Sequence, residues 1–256
     1  MTSVVAFFFG TVVGSFLNVC IHRLPKEESI VAPRSRCPSC QTTIRAVDNI
    51  PLLSFALLGG RCRACGNPIS WRYPLVEALT GALFALTVGR FGATLQTAFL
   101  LAFLCGLVVV SFIDLDYQII PNAITLPGIP MGLLAGLVLG EPPLLDRVIG
   151  MLVGVGFLYL VLFYGGALYG QEAMGEGDLN LMALVGSFLG WKAVALTILL
   201  GCLFGSAVGL ALMAARRLGR RQHIPFGPFL SLGAVVALFW GERLIAWYLR
   251  LVGGIR

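Results

Sequence analysis

Apolar runs separated by short polar segments account for most of the chain. They cover residues 2–21, 74–89, 95–113, 122–140, 147–169, 178–190, 192–215 and 224–249. A helix rises 1.5 Å per residue and the hydrocarbon core of a bilayer is about 30 Å thick, so about 20 apolar residues complete one crossing. The pattern predicts an all-α polytopic membrane protein of about eight transmembrane helices. Only residues 22–73 are polar for long enough to form a small domain in water. The predicted organisation is a first transmembrane helix at 1–21, a small domain at 22–73 and a membrane domain at 74–256. No low-complexity segment and no convincing internal repeat stands out.

Composition agrees with this pattern. Hydrophobic residues make up 58% of the chain and charged residues 12%, where soluble domains carry about 25% charged. The mean hydropathy is +0.91. The run 2–21 has no Lys or Arg before it and no Ala-x-Ala site after it. It reads as a retained span with its N-terminus outside, not as a cleaved signal.

The net charge of +6 does not point to nucleic acid, because the basic residues sit in short segments flanking apolar runs. That distribution is the one that sets membrane orientation. Segment 22–73 holds eight Lys and Arg against Glu27, Glu28 and Asp48, which places it in the cytosol. Counting crossings from there puts 90–94, 141–146 and 191 outside, and 114–121, 170–177 and 216–223 inside. The span 178–190 is short, but merging it with 192–215 would place Arg216, Arg217, Arg220 and Arg221 outside, against the rule. The basic domain should also meet anionic membrane lipids, each nearby Lys or Arg adding about 1 kcal/mol.

Within 22–73, Cys37-Pro-Ser-Cys40 and Cys62-Arg-Ala-Cys65 form two C-x-x-C pairs with 21 residues between them. Two tight turns of this kind can close a tetrahedral Cys₄ shell around zinc, leaving no open position for water. Such a zinc is structural, and it staples a segment too small to rely on its own core. The alternatives are disulfides or a redox pair, and the cytosolic placement argues against stable disulfides. Cys20, Cys105 and Cys202 lie in apolar runs and read as buried hydrophobes.

Carboxylates at the edges of spans are the second candidate chemistry. Asp114 and Asp116 follow one apolar run and precede Pro121-Asn122; Gly175-Glu176-Gly177-Asp178 opens another. By the topology above, two separated loops deliver acids to the same face. Two carboxyls a few ångström apart share a proton, so one draws a proton from water while the other protonates an oxyanion. Equally, Asp178 could cap its helix, and Asp114 and Asp116 could be ordinary interfacial residues. Two residues along a helix turn about 200°, so Asp114 and Asp116 cannot both face one partner. His22 and His223 have no nucleophile partner in sequence. Glu77, inside a span and five residues after Arg72, reads as half of an ion pair or as a ligand-binding acid.

Together these segments resemble the type IV prepilin peptidase family of GxGD-type intramembrane aspartic proteases. The matching segments are Gly14-Ser15-Phe16-Leu17-Asn18-Val19 with Arg23-Leu24-Pro25, the two C-x-x-C pairs, Trp71 to Glu77, Asp114 to Asn122, Gly175 to Asp178, and Pro225-Phe226-Gly227-Pro228-Phe229. The resemblance implies a catalytic pair at Asp114 and Asp178, with 74–256 as the aspartic peptidase domain. It implies an enzyme of the bacterial inner membrane with its active site at the cytosolic face. The substrates would be prepilins or pseudopilins, cut after glycine between a short basic leader and a hydrophobic helix. It also implies N-methylation of the new N-terminus with S-adenosylmethionine, although no Gly-rich nucleotide fingerprint is present. A peptidase without methyl transfer is the alternative. Gly175, Gly177, Glu77 and Arg72 are candidates for substrate or methyl-donor binding. Asn180 departs from the family, where many members carry lysine. Three rivals predict other features: a proton-coupled transporter needs acids near mid-span, a scaffold tolerates loss of the aspartates, and a redox protein needs reactive thiols without zinc.

Overall fold

The computed structural model describes residues 2–169, 175–215 and 224–253. The four-arginine cluster at 216–221 and His223 lie outside the described residues. The helices are α1 (Thr2–Arg23), α2 (Leu53–Leu57), α3 (Arg72–Phe91), α4 (Leu95–Tyr117), α5 (Asn122–Leu139), α6 (Leu144–Tyr169), α7 (Glu176–Ala214) and α8 (Gly227–Gly253). Among the described residues the only β pairing is two isolated bridges, Arg36 with Thr43 and Arg61 with Pro68. The chain divides into two compact units, Met1–Val109 and Val110–Arg256.

In the first unit α1 packs on α3 through small residues. Gly10 and Gly14 stand one turn apart on α1, and a Cβ on Gly10 would lie 2.8 Å from the Gly81 Cα. A Cβ on Gly14 would lie 2.8 Å from the Glu77 Cα. Backbones approach this closely only where side chains are missing, which is how helices associate in lipid without a hydrophobic drive. The outward face of α1 is apolar: Val5, Phe8 and Phe9 are each more than 60% exposed. A soluble protein rarely leaves so large a patch to water; hydrocarbon is its solvent.

Segment 22–73 contains a repeat that sequence inspection missed. Cys37 N–H donates to Thr42 O (3.0 Å), and Cys62 N–H donates to Asn67 O (2.8 Å). Gln41 N–H meets Cys37 O and Gly66 N–H meets Cys62 O, both at 2.9 Å. Gln41 and Gly66 both adopt positive φ, 59° and 71°. Ile44 pairs with Ser35 as Ile69 pairs with Gly60. Every member is 25 residues from its counterpart. Only the cysteines and isoleucines share identity in these pairings.

Seven described helices are long and apolar enough to cross a membrane, one fewer than the expected eight. The expected spans 178–190 and 192–215 lie in the single element α7, which is interrupted at Gly190 (φ 77°, ψ 176°). That conformation is essentially reserved for glycine. A Cβ on Gly154 of α6 would lie 3.2 Å from both Met182 and Val194. A straight helix would hold those two residues about 18 Å apart, so the halves of α7 fold back on one another at Gly190. The protein is therefore nearly all-helical and multi-pass, as the hydropathy pattern required.

Candidate active site and metal centre

Asp114 and Asp116 were expected in a loop after the span 95–113. They instead occupy the last turn of α4, which runs to Tyr117. The chain leaves the helix at Gln118, whose φ is 55° and whose N–H still reaches Asp114 O at 2.9 Å. Pro121 then precedes α5. As the helical angle requires, the two aspartates part: Asp114 is 5% exposed, whereas Asp116 faces outward.

Asp178 stands in the first turn of α7, three residues after the N-cap Gly175, and is 7% exposed. Its N–H donates to Gly175 O at 3.1 Å. Among the described residues its Oδ1 is buried with no hydrogen-bond partner. A buried polar atom without a partner is costly and calls for an explanation.

The two acids belong to one neighbourhood. Ile120 bridges the segments that carry them. A Cβ on Gly177 would lie 2.7 Å from the Ile120 Cβ, so α7 touches the α4–α5 link where glycine permits it. From α8, the first residue Gly227 donates its N–H to Asp114 Oδ2 at 2.9 Å, in a buried hydrogen bond. Helix-opening N–H groups lack intrahelical acceptors and carry partial positive charge. Three separate parts of the second unit thus converge on two carboxyls. The sequence quotes the Gly227 loop as a motif, but nothing in it shows that this loop reaches Asp114.

The four cysteine Sγ atoms lie within 4.8 Å of one another, and Cys37 Sγ is 3.9 Å from Cys65 Sγ. Tetrahedral zinc with Zn–S bonds of 2.3 Å sets its sulfurs about 3.8 Å apart. The donor set therefore fits such an ion. Thr42 beside Cys40 holds that thiol down to about 6. Against the pull of the Asn67 backbone, partial desolvation and the neighbouring thiols push Cys65 up to about 11. Four sulfurs so close resist joint ionisation unless a cation joins them. Arg63, inside the second C-x-x-C, clamps Asp48 through Nε and Nη2 at 3.0 and 2.7 Å. This contact holds Asp48 below the usual carboxylate range.

Glu77 is 8% exposed on α3. Its Oε2 accepts the Leu52 N–H at 2.9 Å, and Ser15 of α1 also hydrogen-bonds the carboxylate. Leu52 has φ 60°, so Glu77 fixes a strained turn of segment 22–73 onto the helix pair. Asn18 adds a second tie, donating to Tyr73 O at 3.1 Å. Arg72 opens α3, and Gly175 and Gly177 flank Glu176 at the start of α7.

Comparison with known proteins assigns the class. Residues 8–91 match the bacterial peptidase A24 N-terminal domain, and residues 101–210 match the type IV leader peptidase family. The prepilin leader peptidase/N-methyltransferase of Aeromonas salmonicida is 40% identical over 274 residues, covering 96% of this chain and 93% of that protein. The protein of the same name from Pseudomonas aeruginosa is 36% identical, covering 95% and 92%. That from Myxococcus xanthus is 44% identical over 86% of this chain and 66% of its own length. No solved structure matches. This multi-pass membrane protein belongs to the type IV leader peptidase family.

Proposed function

We propose that the protein is an aspartic endopeptidase that removes the leader of type IV prepilins or pseudopilins. The observation that carries this reading is the convergence of two buried carboxyls, Asp114 with a fixed N–H donor and Asp178 with an unpartnered oxygen. In the proposed mechanism the ionised member of the pair takes a proton from water, which attacks the scissile carbonyl. The protonated member gives its proton to the developing oxyanion, forming a gem-diol. On collapse the acid that took the water proton passes it to the leaving amine. The other acid takes a proton back from a gem-diol hydroxyl, which restores one proton on the pair. Gly175 and Gly177 let substrate backbone approach Asp178. The cut falls after glycine, ahead of the hydrophobic helix of the substrate, at the cytosolic face of the inner membrane. The basic residues of 22–73 face anionic lipid there and attract the membrane surface.

Cys37, Cys40, Cys62 and Cys65 would hold a structural zinc that ties the two knuckles together. A Cys37→Ser variant is expected to lose its bound zinc and to become sensitive to trypsin within 22–73. Metal analysis and limited proteolysis check this; retained zinc would remove the cysteines as ligands.

The names of the relatives support methyl transfer with S-adenosylmethionine. Glu77 Oε2 accepts the Leu52 N–H at 2.9 Å, so its structural role is to hold segment 22–73 onto α3. No methyl-transfer step is assigned to it or to Arg72.

The test is incubation of purified protein with a prepilin and S-adenosylmethionine, read by mass spectrometry. Loss of the leader after glycine with gain of one methyl group is the expected result. Cleavage without the methyl leaves the peptidase alone, and an intact prepilin overturns the proposal.

Gly227→Ala tests the third element of the site. Its Cβ would lie 2.8 Å from Asp114 Oδ2 and 3.3 Å from Ile120 Cδ1, forcing the carboxyl to shift. Misplacements approaching 1 Å cost on the order of 100-fold in rate. The variant is therefore expected to lose about 10- to 100-fold in kcat while keeping its zinc. A wild-type rate would show that Gly227 does not set the position of Asp114.

A further inference from the structure

The segments carrying the two aspartates meet at a second, polar point. Asn122 opens α5, eight residues after Asp114, and Asn180 lies one turn into α7, two residues after Asp178. Asn180 Nδ2 donates to Asn122 Oδ1 at 2.9 Å. We propose that Asn122 and Asn180 are positioning residues: their amide–amide bond fixes the register of the Asp178 turn against the chain that leaves Asp114. The inference rests on reading Asp114 and Asp178 as the acid pair.

The nearby apolar contact between Ile120 and Gly177 sets how closely the two segments approach. It does not resist sliding along the contact, because dispersion attraction has little directionality. A hydrogen bond near 2.9 Å does, since its strength falls steeply with angle. The two contacts thus hold complementary coordinates: Asp178 lies between Gly177 and Asn180, and Asp114 lies six and eight residues ahead of Ile120 and Asn122 in sequence.

The test uses the full-length protein in detergent and compares kcat and KM for prepilin cleavage. The variants are Asn122→Leu, Asn180→Leu, the double Leu variant, and Asn122→Asp with Asn180→Lys. A hydrogen bond of ordinary strength corresponds to roughly three- to tenfold. Each Leu substitution is therefore expected to lower kcat by about that factor while KM stays within about twofold. The double variant should be no slower than either single, because one shared contact is removed once. The Asp–Lys pair, which rebuilds the bridge with an ion pair, should recover most of the lost rate. Unchanged kcat in the single variants, multiplicative losses in the double, or no recovery with Asp–Lys would each overturn the proposal. A readout independent of activity separates this inference from the proposed function. Asn122→Cys/Asn180→Cys protein treated with dibromobimane should give a cross-linked peptide joining α5 and α7, and either single Cys variant should not. If wild type fails to cleave prepilin but the cross-link forms, the contact stands and the functional reading falls. If the cross-link does not form, the contact itself is refuted.

Discussion

Asp114→Asn and Asp178→Asn are each expected to reduce prepilin cleavage by about 10³-fold or more, since general acid–base groups contribute on the order of 10²–10⁴. The substitutions are nearly isosteric, so the packing around Ile120 and Gly177 should survive. An amide neither takes a proton from water nor returns one. In Asp114→Asn the side-chain oxygen can still accept the Gly227 N–H, so lost rate would report lost proton transfer and not lost structure. In Asp178→Asn the backbone bond to Gly175 O persists, while the buried position of Oδ1 is left without a titratable proton. Asp116→Asn provides the contrast. It lies on the exposed side of the same helical turn, and its loss of rate should be far smaller than that of Asp114→Asn, because its carboxyl is not buried with Asp178. Kinetics on all three variants, with zinc content and thermal unfolding measured alongside, decide the matter. Full activity in either Asp114→Asn or Asp178→Asn would remove that residue from the mechanism. Loss in Asp116→Asn equal to that in Asp114→Asn would mean the burial contrast does not identify the acid.

Arg147→Met is expected to destabilise the second unit by about 1–3 kcal/mol, the cost of leaving the buried Ser187 carbonyl without a donor, while Gly132 O keeps its partner within α5. Arg147 is 3% exposed at the start of α6. It donates through Nη1 to Gly132 O of α5 (2.9 Å) and Ser187 O of α7 (3.0 Å), both buried. Nε reaches Pro142 O at 2.9 Å and Nη2 reaches Glu141 O at 3.0 Å. Gly136 makes room for it, since a Cβ there would lie 2.6 Å from the Arg147 Cδ. Ser187 needs this donor because the break at Gly190 interrupts the helix and frees carbonyls in the turn before it. Arg147→Lys should recover only part of the loss, since an ammonium cannot spread donors across a planar fork. Thermal unfolding in detergent checks both variants, and the Met variant should unfold on the order of 10 °C lower. A wild-type midpoint would show that water replaces the guanidinium at these carbonyls.

Much of the architecture was legible because lipid imposes a simple code. Long apolar runs become helices. The cysteine spacing pointed to a metal-binding set against disulfide and redox alternatives, and the four sulfurs lie close enough together to hold an ion. The acids were found by their motif, but their setting was not. Asp114 was assigned to a loop because hydropathy falls at that residue, yet helix geometry persists to Tyr117, ahead of the positive φ at Gln118. The Gly227 contact spans 113 residues and the Arg147–Ser187 contact spans 40; no local pattern encodes such pairings. Glu77 was read as an ion-pair partner or a ligand acid, because sequence cannot show that a backbone N–H at Leu52 would satisfy it. The repeat around the cysteines shows in sequence only as Arg36, Cys37, Cys40 and Ile44 recurring as Arg61, Cys62, Cys65 and Ile69, and the matching hydrogen bonds complete it.

The close approach of α1 and α3 has a consequence for how this protein can change. It holds the two ends of residues 24–71 side by side, so that stretch is a loop closed at its root. The cysteine cluster closes a smaller loop inside it. Loop-closure entropy grows only with the logarithm of length, about 0.6 kcal/mol for each doubling. Added residues between Glu27 and Arg34 therefore lengthen the outer loop at little thermodynamic expense, whereas the knuckles tolerate none, because each hydrogen bond there depends on fixed spacing. Length variation belongs to the entrance of the segment, and constancy to its two metal-binding turns.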